Sequence, residues 1–228
     1  TGEGMQAAST AVEVPLLLLL VAYWGLFAFL RLFNYTLYQY RWRALINFNL
    51  ASQYFRDQSV FSSTLHTLYH LHFLLGLSLF GALLICHYVP SLTFTAFQVT
   101  LLILFALIGL YAIRGVLGWL LQQLFRVEDT LRFAQFYSNL SYSYLAFWLM
   151  PVVTIGYYAP DPWPLYSIYA GLALVGLALL WRYYRGFLIV KEYFSIYKYR
   201  LFAYICTAEI APVFLIVKGT LLLLPLVS

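Results

Sequence analysis

The sequence predicts an all-α fold, a polytopic transmembrane helix bundle of about six spans with amphipathic helices lying on one membrane face. Three observations predict it: 64% of the residues are hydrophobic, only 9% are charged, and the mean hydropathy is +0.83. Soluble domains carry about 25% charged residues, so a chain this poor in charge has too little polar surface to face water. Its 228 residues suit one domain. The recurring apolar runs leave too little polar chain for a second, so 1–228 is read as a single transmembrane domain.

A hydrocarbon core of about 30 Å takes about 20 apolar residues in helical form. Six runs meet that length. The first, 14–32, opens on Val14 with Pro15 in the first turn, where a missing N–H is tolerated, and closes at Arg31. The second, 64–88, is stopped by Pro90, and the third covers 94–114 with apolar character carrying on towards Leu121. The fourth, 140–158, encloses Pro151; the fifth, 163–181, follows the turn-rich Ala159-Pro160-Asp161-Pro162; the sixth is 201–224.

Basic residues test this count, because a wrong number of spans scatters them between the two faces. Arg31, Arg41, Arg43 and Arg56 follow span one; Arg114, Arg126 and Arg132 follow span three; Arg182, Arg185, Lys191, Lys198 and Arg200 follow span five. Twelve of the 13 Lys and Arg residues therefore share one face, which the positive-inside rule makes cytoplasmic, with both termini periplasmic. The net charge of +5 is accounted for by these juxtamembrane positions, where it meets lipid headgroups. Nucleic acid is not an expected partner; membrane lipids are.

The first two cytoplasmic stretches are patterned. In 35–61 aromatic and aliphatic residues alternate with Arg41, Arg43, Arg56 and Asp57 at roughly helical spacing, and 118–139 reads similarly around Arg126 and Arg132. Both are expected to be helices on the inner leaflet, where Arg41, Arg43, Arg56, Arg126 and Arg132 serve as interfacial or partner-docking residues. Residue 1 is Thr, and residues 1–14 lack the basic start of a signal peptide, which leaves open what precedes them.

The residues that could carry chemistry are few. Glu209 lies about 13 Å along the last span if that helix enters the membrane at Arg200, and a carboxyl at such depth suggests function by default. Pro212, in the same run, frees a carbonyl one turn earlier and kinks the helix. Lys218 is about half a turn round from Glu209, so the two do not pair directly, and Arg114 is a candidate partner from a neighbouring span. Glu209 is read either as a latch between helices or as a protonatable site.

His66 and His70 share one face of span two at a metal-binding spacing, whereas His72 points roughly opposite. With no acidic or cysteine ligand beside them they make only a weak metal candidate, and no metal or cofactor is expected. Cys86 and Cys206 sit at different depths, which argues against a disulfide. There is no Gly-x-Ser-x-Gly, no phosphate-binding loop and no Cys-x-x-Cys, and no Asp lies within a span. No catalytic residues are assigned.

The ending Phe202-Ala203-Tyr204-Ile205-Cys206-Thr207-Ala208-Glu209-Ile210-Ala211-Pro212, followed by Lys218, with the aromatic, Arg-bearing stretch 32–61 after the first span, resembles a Bacteroidota family of membrane proteins, domain of unknown function 4271. In that family the last helix carries a Tyr-Leu-Cys, then Glu-Ile-x-Pro, then a Lys. The resemblance implies a bacterial inner (cytoplasmic) membrane and no assigned activity. The expected role is a non-enzymatic subunit or scaffold packing against other membrane proteins, or a second copy of itself, in a cell-envelope complex. The alternatives are a small proton-coupled transporter or channel using Glu209, and an interfacial lipid-modifying enzyme working through Asp57, Glu128, Asp129 or His66.

Overall fold

A computed structural model describes residues 14–33, 35–57, 63–89, 94–125 and 128–193. All secondary structure among them is α-helical: α1 (Val14–Phe33), α2 (Tyr35–Ile46), α3 (Phe48–Asp57), α4 (Ser63–Tyr88), α5 (Ala96–Phe125), α6 (Glu128–Tyr158) and α7 (Trp163–Tyr193). Five of these are long and apolar enough to cross a membrane, within 14–33, 67–88, 96–113, 140–158 and 163–185. They coincide with the first five expected spans. The sixth, 201–224, lies outside the described residues.

Local chemistry sets several of the boundaries. Asn47 separates α2 from α3: its side-chain oxygen accepts from the backbone N–H of Asn49 at 3.1 Å, capping the new helix. At the start of α5, Thr95 and Gln98 form a reciprocal capping box. The Gln98 N–H donates to the Thr95 hydroxyl at 3.3 Å, and the Thr95 N–H donates to the Gln98 side chain at 3.0 Å, so two otherwise unpaired donors are satisfied. Within α6, Pro151 leaves the Phe147 carbonyl without its usual helical partner. One turn on, the Thr154 hydroxyl donates to the Met150 carbonyl at 2.8 Å and accepts from the Trp24 indole N–H at 3.1 Å.

Two expectations are corrected. The stretch 118–139 is not a separate surface helix, because α5 runs on to Phe125 and α6 already begins at Glu128. No proline lies between Ala96 and Phe125, so the backbone ladder continues past the apolar span. Likewise α7 reaches Tyr193 rather than ending near Trp181. At 30, 31 and 31 residues, these three helices are about 45 Å long, against a hydrocarbon core of about 30 Å.

The chain divides into two compact units, whose described residues fall within 14–107 with 135–182, and within 108–134 with 183–193. In the first unit α4 and α6 are central: 56% of the apolar window of α4 and 67% of that of α6 are buried, against 22% for α1. Where such helices sit in lipid, apolar transfer gives little preference for association, and close packing and interhelical hydrogen bonds hold them together. The tyrosines supply several such bonds, each donating to a distant backbone carbonyl: Tyr137 to Leu45 at 2.6 Å, Tyr157 to Leu79 at 3.0 Å, and Tyr23 to Ala146. The second unit contributes 108–125, 128–134 and 183–193 to the description, with Ile113, Val116 and Tyr184 well exposed and Phe133 buried.

Close approach is provided by glycine. A Cβ at Gly171 of α7 would collide with the Phe80 ring of α4, whose Cδ2 lies at 3.0 Å, and Phe80 is only 2% exposed. Overpacking of this kind costs about 1–3 kcal/mol. Gly171→Ala is expected to lower the melting midpoint in detergent by several degrees, whereas Gly176→Ala on the same helix, with open space above it, is expected to lower it by less than one.

Candidate functional site

The polar interior of the first unit is organised by two arginines from different parts of the chain. Arg41 of α2 is 3% exposed. Its Nη2 donates to the Ser143 hydroxyl of α6 at 3.2 Å, and the guanidinium carbon lies 4.0 Å from the centre of the Tyr69 ring of α4. Arg182 of α7, 8% exposed, donates from Nη1 to the Tyr142 hydroxyl, its guanidinium 5.0 Å from that ring's centre. Tyr142 in turn stacks on Phe73 at 4.7 Å. Consecutive residues of α6, Tyr142 and Ser143, thus receive guanidinium groups from α2 and α7 against one turn of α4, 69–73.

Arg41 has no carboxylate among the described residues, and its Nε finds no acceptor there. A buried cation in that state is stabilised by the π face of Tyr69, about 2 kcal/mol when desolvated, and by a charge-assisted bond to Ser143, about 1.5–3 kcal/mol.

In the same turn of α4, His72 is 2% exposed and stacks on Tyr23 at 4.6 Å between ring centres, with Phe27 at 5.9 Å. Its Nε2 has no hydrogen-bond partner among the described residues. Phe27 also meets Phe147 at 5.1 Å, so an aromatic layer joins α1, α4 and α6.

Outside this interior, α2 and α6 border an open groove of about 330 Å³ lined by Tyr38, Gln39, Trp42, Arg43, Phe147 and Trp148. Its inner wall is fixed by Tyr144: Trp42 packs edge-on at 4.6 Å, and the Tyr144 hydroxyl donates to the Tyr38 carbonyl at 3.4 Å. Tyr38 is half-buried, and burial pushes its hydroxyl above the usual tyrosine range while the charge of Arg31 pulls the other way. Arg43 and Gln39 are exposed at the rim, and Trp148 is 49% exposed.

Of the residues singled out from sequence, Glu209, Pro212, Lys218 and Arg126 lie outside the described residues, and for Arg114, Arg56, Arg132 and His66 only the helical backbone is described. His70 is half-buried, its ring 6.2 Å from Phe73. No cluster of three His, Cys, Asp or Glu side chains forms among the described residues. Arg41 and Arg43, both expected as interfacial or partner-docking residues, differ in exposure. The α2 face bearing Arg41 and Ala44 is buried, so Arg41 fastens the unit from within and only Arg43 reaches outward. Tyr69, Tyr142, Ser143 and the buried role of His72 were not assigned from sequence; an Arg two places from another Arg, on a helix whose opposite face is aromatic, was the one available signal that the two point differently.

These elements define a class: an all-α chain with five described helices fit to span a membrane, fastened internally by guanidinium, hydroxyl and aromatic contacts. The family model for domain of unknown function 4271 (DUF4271) matches residues 16–220, and the chain belongs to that family. No curated protein and no solved structure matches it.

Proposed function

We propose that this chain is a non-catalytic, multi-pass subunit of a bacterial inner membrane, of the Bacteroidota type, that packs against other membrane proteins in a cell-envelope assembly. Its basic segments then face the cytoplasm and both termini the periplasm. The observation that carries the reading is how glycine is used. Gly76, Gly156 and Gly171 each sit directly under a side chain of a neighbouring helix, whereas Gly109 and Gly115 of α5 have nothing within 4 Å among the described residues. Ala106 and Ala112, on the same helix, are exposed as well, and the apolar window of α5 is only 11% buried. Small residues on an apolar helix let a second backbone approach closely, which gives α5 the character of a contact helix.

The test is purification in mild detergent with measurement of particle mass and of co-purifying proteins. A stable complex with a membrane protein or a second copy is expected, and Gly109→Leu is expected to reduce that association at least tenfold while leaving the melting midpoint of the chain itself unchanged. A strictly monomeric particle that brings down no protein overturns the proposal.

A further inference from the structure

The groove between α2 and α6 has a chemistry of its own, independent of any partner on α5. One wall is apolar and belongs to a spanning helix: Phe147 and Trp148 lie seven and eight residues inside the apolar window that starts at Leu140, about 10–12 Å along the helix axis. The other wall is amphipathic and belongs to the short helix that follows α1: Tyr38 and Trp42 present rings, Arg43 presents its guanidinium, and Gln39, whose Nε2 donates one N–H to the Tyr35 hydroxyl at 2.7 Å, keeps a second N–H for the groove. Trp and Tyr favour the headgroup layer, where one part of the ring is dry and another wet. The groove therefore grades from a donor-rich rim into a hydrocarbon-like floor.

Charge selects the occupant. Through α1, α2 and α3 there are four arginines, Arg31, Arg41, Arg43 and Arg56, against one acid, Asp57. None of the six lining residues is acidic. An anionic oxygen cluster fits this rim, because a guanidinium offers paired donors matched to phosphate geometry. A volume of about 330 Å³ is at the lower end of small-ligand sites, about 300–1,000 Å³. It has room for a glycerophosphate head and the first carbons of a chain that continues into bulk lipid, and it is too small to seat a peptide helix.

We infer that this groove is a binding site for one anionic phospholipid, its phosphate held at the rim by Arg43 with the Gln39 amide, and its proximal acyl carbons lying on Phe147 and Trp148 beside Trp42. The leaflet is the cytoplasmic one, a point that alone rests on the orientation proposed above. Lipid occupancy and partner binding use different helices, so either can fail without the other.

The protein is reconstituted in nanodiscs of equal phosphatidylglycerol and phosphatidylcholine, then released gently for native mass spectrometry to count retained lipid. One phosphatidylglycerol per chain is expected, in at least fivefold preference over phosphatidylcholine. Arg43→Gln is expected to reduce retention at least fivefold, Arg43→Lys to restore about half of it, and Trp148→Ala to reduce retention while helical content by circular dichroism stays unchanged. Added inorganic phosphate is expected to leave the bound lipid in place. Equal retention of the two lipids overturns the inference, as does full retention by Arg43→Gln, displacement by inorganic phosphate, or an acidic peptide or second copy occupying the groove in place of lipid. If Arg43→Gln loses helical content, Arg43→Lys and Trp148→Ala decide, and retention equal to wild type in both overturns it.

Discussion

Gly76→Ala is expected to be the most damaging single-methyl addition in the first unit. A Cβ at this position of α4 would run into the hydroxyl end of Tyr23, with the ring carbon Cζ at 2.8 Å. Tyr23 is fully buried, stacked on His72 and donating to the Ala146 carbonyl on α6, so it cannot swing aside without losing all three relations. Overpacking costs about 1–3 kcal/mol, and stranding the buried hydroxyl adds about 1–3 kcal/mol. A loss of roughly 3–5 kcal/mol corresponds to a melting midpoint lowered by about 10 °C for a chain of this size. Gly25→Ala, with nothing within 4 Å of its added carbon among the described residues, is the matched control and should melt like the parent. Fluorescence-detected size exclusion after heating reads both, and equal melting of the two variants would show that Tyr23 has room to move.

The second large effect lies in the asymmetry around Arg41. Removing its neutral partners while leaving the guanidinium in place strands a buried cation, so Tyr69→Leu with Ser143→Ala is expected to cost about 3–5 kcal/mol. Replacing the arginine itself by an apolar side chain of similar length removes the desolvated charge together with its contacts, so Arg41→Met should change stability by about 1 kcal/mol or less. The combination is decisive: Arg41→Met placed in the Tyr69→Leu, Ser143→Ala background should recover most of the lost stability. Additive losses across the three sites would instead mean that the charge was never the source of the penalty.

The two experiments bear on how much of the molecule was legible in its sequence. Helix type and the places of five helices long and apolar enough to cross a membrane were legible from hydropathy, because a run of twenty apolar residues has few other solutions. What sequence did not give was the extent of α5, α6 and α7. The extensions of α5 and α7 contain Gly115, Gly118 and Gly186, residues that often mark a stop, yet the helices run through them, and polar pairs such as Gln122-Gln123 and Glu128-Asp129 read as a change of element. Nor did it give the inward turn of Arg41. Its acceptor, Ser143, is 102 residues away, and a serine in an apolar helix carries no mark of its distant donor. His72 was set aside for pointing away from the His66 and His70 face, and that direction is the one that buries it against Tyr23. Glu209, the most conspicuous residue of the sequence, lies beyond the described residues and keeps the two readings it began with.

The separation of 102 residues between Arg41 and its acceptor also has a meaning in time. Ribosomes extend chains at about 5–20 residues per second, so roughly 5–20 s pass between the synthesis of Arg41 and that of Ser143. Through that interval α1 and α2 exist without α6, and the guanidinium is without the Ser143 hydroxyl. Pairing of Arg41 with Ser143 therefore waits on the synthesis of α6, well after α1 and α2 have been made.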